Sequence, residues 1–470
     1  MKILRWFNQN RFTSIVRFSC AATLISVGVV SAILALPLST KGSSAPAAQP
    51  QVLDDSQMKA LSTTVGGAAP LSTARTVAHW FGTTLNPDNG VTYGYNMVGA
   101  DPNNCSGSGC DVTIPADIIP IKVVVAGITF DPMDSHQALA GALASPQFAL
   151  NNYGSTPFAT AAGSFPNAPA LIRGPGGLLS QNDAGNQLQL QDATMRAQFN
   201  KTGTSTYHVR LGTPTVHNEI TIVVPPSKGT LLQSGRGVIF AGVDSHWWST
   251  QIQNLNGSLG YNDPTHLPIY LTDSVLLFSG PNCCVIGFHG AQDVPSNTNN
   301  GSANGNGNQP VQTFAWASWI RPGIYARPNG GTDWAVQDIH ALSHEVAEWA
   351  DDPFINNYVE PWLTPTAPQY GCTNILETGD PVVGIGFAMG SNTYDQTPNP
   401  WTSPTDHTPS ISYDGFFHPE DEVFLPWFMR TAPNTISEPT QTPSTNIGRY
   451  TLMGDLNPFP GFRVPATGCN

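Results

Sequence analysis

The stretch "DIHALSHEVAEWADDP", residues 338–353, concentrates two histidines and two glutamates in a chain where only 11% of residues are charged. Thr332 or Asp333 offers a helix N-cap upstream, and Asp352-Pro353 offers a stop. Between them Ala335, Ile339, Leu342, Val346 and Trp349 recur at steps of three and four, which predicts one apolar stripe of a helix. His340, His344 and Glu348 recur at steps of four and form a second stripe, about 100° round the helix from the first.

Two side chains one helical turn apart can reach the same ion, which is why an H-E-x-x-H pattern binds metal. Here His344 and Glu348 hold those two positions, and Glu345 sits where a base acting on a metal-bound water belongs. A carboxylate in the second position still binds zinc, at about 2.0–2.2 Å. It makes the site harder and more anionic, so calcium enters beside zinc as the divalent cofactor. Downstream, "YGCTNILETGDPV" (370–382) supplies Glu377, 29 residues after Glu348, as third ligand. Asp380 follows, placed to accept a hydrogen bond from a ligand histidine. Gly379 and Pro381 mark the same segment as a turn, and a turn can present a ligand.

His289, in "CCVIGFHGA" (283–291), reads either as a site-lining residue or as a hydrogen-bonded histidine at a strand end. With His340 it is the candidate for a fourth ligand or an oxyanion contact. "DSHWWSTQ" (244–251) and "FFHPEDEVFLPWF" (416–428) place aromatics beside His and carboxylates, a pattern that lines a cleft or simply fills a core. Nucleophile-elbow, phosphate-loop and dinucleotide fingerprints are absent.

Outward from these motifs, the N-terminus runs from Lys2, Arg5, Arg11 and Arg17 into an apolar segment, Phe18–Leu38, and then into "STKGSSAPAAQP". That is the order of a secretory signal, with Ala45-Pro46-Ala47 as cleavage region, although the apolar segment is also long enough for an uncleaved anchor. Residues 1–47 are therefore read as signal peptide and 48–76 as a flexible segment. Residues 77–470 are read as one extracellular domain with the metal site within 289–380. The chain beyond residue 47 holds 14 Lys/Arg against 32 Asp/Glu, a formal charge of −18. Nucleic acid and anionic membrane surfaces require basic patches, so an extracellular protein or polymer is the expected partner. Six cysteines remain in that part: Cys105, Cys110, Cys283, Cys284, Cys372 and Cys469. An even number in an exported chain predicts disulfides, and the "SGSG" loop lets Cys105 close on Cys110.

Segments such as "VTYGYNMV", "DIIPIKVVVAGITF", "EITIVV", "GVIFAGV" and "LPIYLTDSVLLF" read as strands, and "QDATMRAQF" as a second helix. Ser296–Pro310 is a low-complexity loop. The fold expected is α+β, a single mixed domain with a largely antiparallel sheet, long loops and a zincin-like helix.

"ALSHEVAEWADDPFINN", "GCTNILETGDPV", "CCVIGFHGA" and "FAWASW" resemble secreted bacterial proteins with an S-H-E-x-x-E-x-x-x-D-P motif. More distantly they are similar to the plant exordium, or phosphate-induced, proteins. The resemblance covers roughly residues 240–385. It implies a zincin-like helix, and from the exordium side extracellular, cell-wall and growth roles. Two functions follow as expectations. One is a secreted metal-dependent hydrolase, a peptidase using a metal-bound water. The other is a non-catalytic extracellular protein whose calcium site is structural and which binds cell-wall or matrix polymer.

Overall fold

Among the regular elements, two adjacent strands determine how closely a helix can approach the sheet, and the alternation of their residues explains why. The computed structural model describes residues 75–134, 138–152, 187–201, 205–234, 237–279, 282–294, 310–325, 336–364, 372–387, 389–394 and 415–432, with 66–67, 450–452 and 469. The expected signal segment, nearly all of 48–76, the loop at 295–309 and the expected caps Thr332 and Asp333 fall outside these.

The largest sheet is built from β1 (Ala116–Val125), β2 (Ile128–Phe130), β3 (Thr215–Val216), β4 (Ile220–Val223), β5 (Leu267–Asp273), β6 (Gly287–Asp293) and β7 (Val311–Trp319). Its path runs β3-β1-β5-β7-β6, with β4 and β2 also on β1. β2 folds back on β1 through Ala126 and Gly127, both with positive φ, as a tight hairpin turn matched to strand twist requires. On the other edge of β1, β3 pairs at Asp117 and Ile118, and β4 resumes at Ile121. The break falls beside Pro120, which has no N–H to give a neighbour.

The fold is α+β, as expected, and its sheets combine antiparallel with parallel pairing. Antiparallel pairing is found where strands are joined locally, in β1–β2, in β6–β7 and in the pair His79–Leu85 with Thr92–Val98. The centre is parallel: β1, β5 and β7 are separated by long stretches of chain that return to the same end of the sheet. β5 and β7 are buried along their whole length, so both faces must be covered.

Three helices matter for the site: α1 (Leu190–Gln198), α2 (Ser245–Ser258) and α3 (His340–Asp351). α2 has no counterpart in the sequence reading. Asp244 caps it by accepting the Trp247 N–H at 2.8 Å, and Trp248 packs edge-on to Trp316 of β7 at 5.8 Å. "DSHWWSTQ" is thus a capped helix start that sends Trp248 into the core.

In "VQTFAWASW", Phe314 and Trp316 share the α2 face, so Thr313, Ala315 and Ala317 lie on the other. Trp349 of α3 donates its indole N–H to Thr313 Oγ1 at 3.0 Å, which puts α3 on that second face. The register pairs Gly287, His289 and Ala291 of β6 with Ala317, Ala315 and Thr313. α3 therefore lies in a trough of small residues with His289 rising into it.

A single large hydrophobic cluster runs from Val77 to Leu452. Cys105–Cys110 and Cys372–Cys469 are disulfides, and Cys284 is disulfide-bonded too, while the Cys283 side chain lies outside the described set. Among the described residues no helix is long and apolar enough to cross a membrane.

Candidate metal centre

Every residue of α3 is buried, including His340, His344, Glu345, Glu348 and Asp351. Charged groups removed from water must be paired or neutralised, so each requires a physical account. The helix begins at His340. Asp338, at φ 43°, is in the left-handed region and cannot continue a helix backward. Its carboxylate accepts the Ile339 N–H at 2.5 Å and binds His418, from the backbone at 2.8 Å and from Nδ1 at 2.6 Å. The helix ends with Asp351, where the sequence placed its stop.

On the outer face of α3, His344 Nε2 lies 3.0 Å from Glu348 Oε1, 3.9 Å from Asp380 Oδ1 and 4.0 Å from Glu345 Oε1. His344, Glu348 and Asp380 offer ligand atoms within 4.8 Å of one another, close enough to hold a metal ion. The other ring nitrogen of His344, Nδ1, donates to Glu420 Oε2 at 2.5 Å. Glu420 can only accept in its ionised form, so this bond fixes the tautomer and turns the Nε2 lone pair toward the carboxylates. Glu420 is itself held by the Gly384 N–H at 2.9 Å and by a bond from its own N–H to Ser343 Oγ, also 2.9 Å.

On the sheet side, His289 Nδ1 lies 3.4 Å from Glu345 Oε2 and 3.5 Å from Glu348 Oε2, and these three residues form a second group able to hold an ion. His289 Nε2 donates to the Asp352 carbonyl at 3.3 Å. His289 is mid-strand in β6, not at a strand end.

Two glycines make room. A Cβ on Gly287 would strike the Glu345 carboxyl, and one on Gly379 would strike the His344 ring. Gly379 also donates its N–H to Glu348 Oε1 at 3.3 Å, so the turn expected at "ETGDP" does deliver polar groups to the helix. The arrangement of that turn differs from the proposed ligand order. Asp380 joins the His344 group, whereas Glu377 is buried nearby and in neither group, its Oε2 without a hydrogen bond. His340 is drawn to Glu420, 3.4 Å from Oε2, rather than to the His344 group, and neither of its ring nitrogens makes a hydrogen bond.

The electrostatics follow from burial, with no lysine or arginine paired to these carboxylates among the described residues. Burial pushes the Glu345 carboxyl up to about 7, with His289 and His344 holding it from rising further. Burial, then repulsion from Glu348, sends both Glu377 and Asp380 well above the carboxylate range. Burial also opposes ionisation of Glu348, yet His344 and His289 hold it below its ordinary value. Both histidines are disfavoured as cations by burial but are raised well above 6.5 by the carboxylates around them: Glu345 and Glu348 for His289, Glu348 and Glu420 for His344. His344 Nε2, Glu345 Oε1 and Glu348 Oε2 all lack a hydrogen bond. A donor set of two imidazoles and several carboxylates, with unsatisfied atoms pointing inward, fits a divalent cation.

Glu420 was visible in the sequence only as part of an acidic run beside aromatics. Nothing in the spacing joins it to a helix 76 positions earlier. No family model matches the chain, and neither a curated protein nor a solved structure matches it, so the reading of the site rests on its geometry.

Proposed function

We propose that this protein is a metal-dependent hydrolase, with a peptide as the substrate its architecture suits best. The observation that carries the reading is Glu345. It is a buried carboxyl raised to about 7, with an unpaired Oε1 facing the Nε2 of a histidine whose other nitrogen is already committed to a carboxylate. His344, Glu348 and Asp380 would hold the ion, with zinc the first choice for an imidazole–carboxylate set. A divalent cation there polarises a carbonyl and lowers the pKa of water.

The chain's own groups supply the rest. Glu420 and Gly379 fix the His344 ring between them. Glu345, with its pKa near the working pH, takes a proton from the attacking water at Oε1 and returns it to the leaving group. Asp380 is the partly exposed member, 15% accessible, and marks where the cluster meets the surface. β6 stands at the end of the sheet path beside the cluster, and an extended peptide suits a strand in that position.

One observation favours a second reading, a structural calcium site in a protein that binds polymer. The ligand-bearing residues of α3 are completely buried, as a closed structural site would have them. Against it stand the two imidazoles, which calcium does not favour. Both readings are separated by metal analysis of the purified chain together with cleavage of a general protein substrate by wild type and Glu345→Gln. Zinc with wild-type cleavage that the variant loses supports the hydrolase. Calcium alone with no cleavage overturns it.

A further inference from the structure

The two ligand groups share a pattern that a single ion does not explain. Glu345 presents Oε1 to His344, at 4.0 Å, and Oε2 to His289, at 3.4 Å. Glu348 does the same, with Oε1 3.0 Å from His344 and Oε2 3.5 Å from His289. These two carboxylates, three positions apart on one helix face, each span the interval between an α3 histidine and a β6 histidine.

The histidines are alike as well. His344 gives its Nδ1 proton to Glu420, and His289 gives its Nε2 proton to the Asp352 carbonyl. Both partners accept only. In the neutral ring the nitrogen that remains is a bare lone pair, and in both cases it faces carboxylate oxygens. Such a nitrogen meets a carboxylate either through a proton, as the His289 Nδ1–Glu345 Oε2 hydrogen bond at 3.4 Å does in the metal-free chain, or through a metal cation that takes the proton's place. A metal-bound histidine commits its far nitrogen in this manner, to a carboxylate or a backbone carbonyl. The site contains the arrangement twice.

We propose that α3 and β6 hold a dinuclear centre, with Glu348, the residue common to both ligand groups, bridging two divalent transition-metal cations, one beside His344 and Asp380 and one beside His289, where Glu345 turns only Oε2 to the second ion and keeps Oε1 free. This rests on the reading of the His344 group as a metal site and extends it. The charge of the surroundings agrees. Glu345, Glu348, Glu377 and Asp380 carry four formal negative charges when ionised, and among the described residues no lysine or arginine pairs with them. Glu377, buried with Oε2 unbonded and in electrostatic contact with His289 and Glu348, is the carboxylate available to complete the second ion's set.

The test is metal stoichiometry of the full oxidised chain loaded with zinc or with manganese. Two ions per chain are expected in the wild type and one in His289→Ala. In the manganese form the wild type should give the electron paramagnetic resonance spectrum of an exchange-coupled pair, and the variant that of an isolated ion. Should His289→Ala not fold, the wild-type spectrum and stoichiometry decide alone. One ion per chain with an isolated-ion spectrum in the wild type overturns the dinuclear centre and leaves the hydrolase reading standing. No bound ion, with histidine–glutamate ion pairs in its place, overturns both.

Discussion

Two of the histidine–carboxylate clusters among the described residues differ in one respect that bears on what each can do. On β1, between β3 and β5, Asp117 gives one oxygen to His217 Nε2 at 2.8 Å and the other to His266 Nδ1 at 2.7 Å, with Tyr261 stacked on the His217 ring at 3.9 Å. Both histidines are partly solvent-exposed, and every oxygen of the carboxylate is used. Around α3 the same residue types are buried except for the partly exposed Asp380, the carboxylates outnumber the histidines, and several of their atoms have no hydrogen bond. The first cluster is complete as it stands. The second brings ligand atoms close enough together to hold an ion and leaves several of them without a hydrogen bond.

Breaking the comparison is most direct at Glu345. Glu345→Gln keeps the shape and removes the base. Hydrolysis of a protein substrate should fall by about 10²- to 10⁴-fold, with the ion at His344 retained in elemental analysis. Retained activity would reduce the α3 cluster to a structural role.

Opening the Cys372–Cys469 bridge tests whether the covering segments are independently stable, because 97 positions separate the two cysteines and the loop encloses both Asp380 and Glu420. Cys372→Ser should cost about 3–4 kcal/mol in denaturant unfolding and weaken metal retention. Chelation comes next. Removing the ion from the wild type should lower stability by about 2.7 kcal/mol, the value for a ligand at a hundred times its Kd, and resupplying it should restore the loss. The Asp117 cluster predicts no such response.

Acidity sharpens the contrast further. Burial pushes Asp351 up to about 7, against a hydrogen bond from Gln198 that favours the ionised form. The folded, metal-free chain thus retains a proton that the unfolded chain releases near pH 4. This contribution to stability is fully present below about pH 4 and is lost as the pH rises to about 7. Asp351→Asn should flatten the metal-free stability profile over that interval, as read by thermal unfolding across pH. The smallest effect is expected at the surface. Asp117→Asn should cost about 1 kcal/mol and leave hydrolysis and metal content unchanged.

The sequence disclosed what repeats locally. Steps of four placed His344 and Glu348 together, and alternation marked most of the strands. It did not disclose α2, because "SHWWSTQIQNLNGS" is rich in Ser, Thr and Asn and has no charged pairs to signal a helix face. Nor did it disclose the parallel centre of the sheet, since strand direction is set by where long connections return. That Asp380 rather than Glu377 comes within reach of His344 depends on which side of one turn meets α3, which spacing along the chain does not record. Glu420 reaches His344 only through tertiary folding, and no pattern along the chain records it.

Gly379 has a consequence in time as well as in space. Its backbone lies against one side of the His344 ring while Glu420 grips Nδ1, so the imidazole cannot turn over unless the 377–382 segment lifts away. An ion bound as proposed would meet a ligand that is already oriented, and its exchange should slow or quicken together with amide protection in that segment.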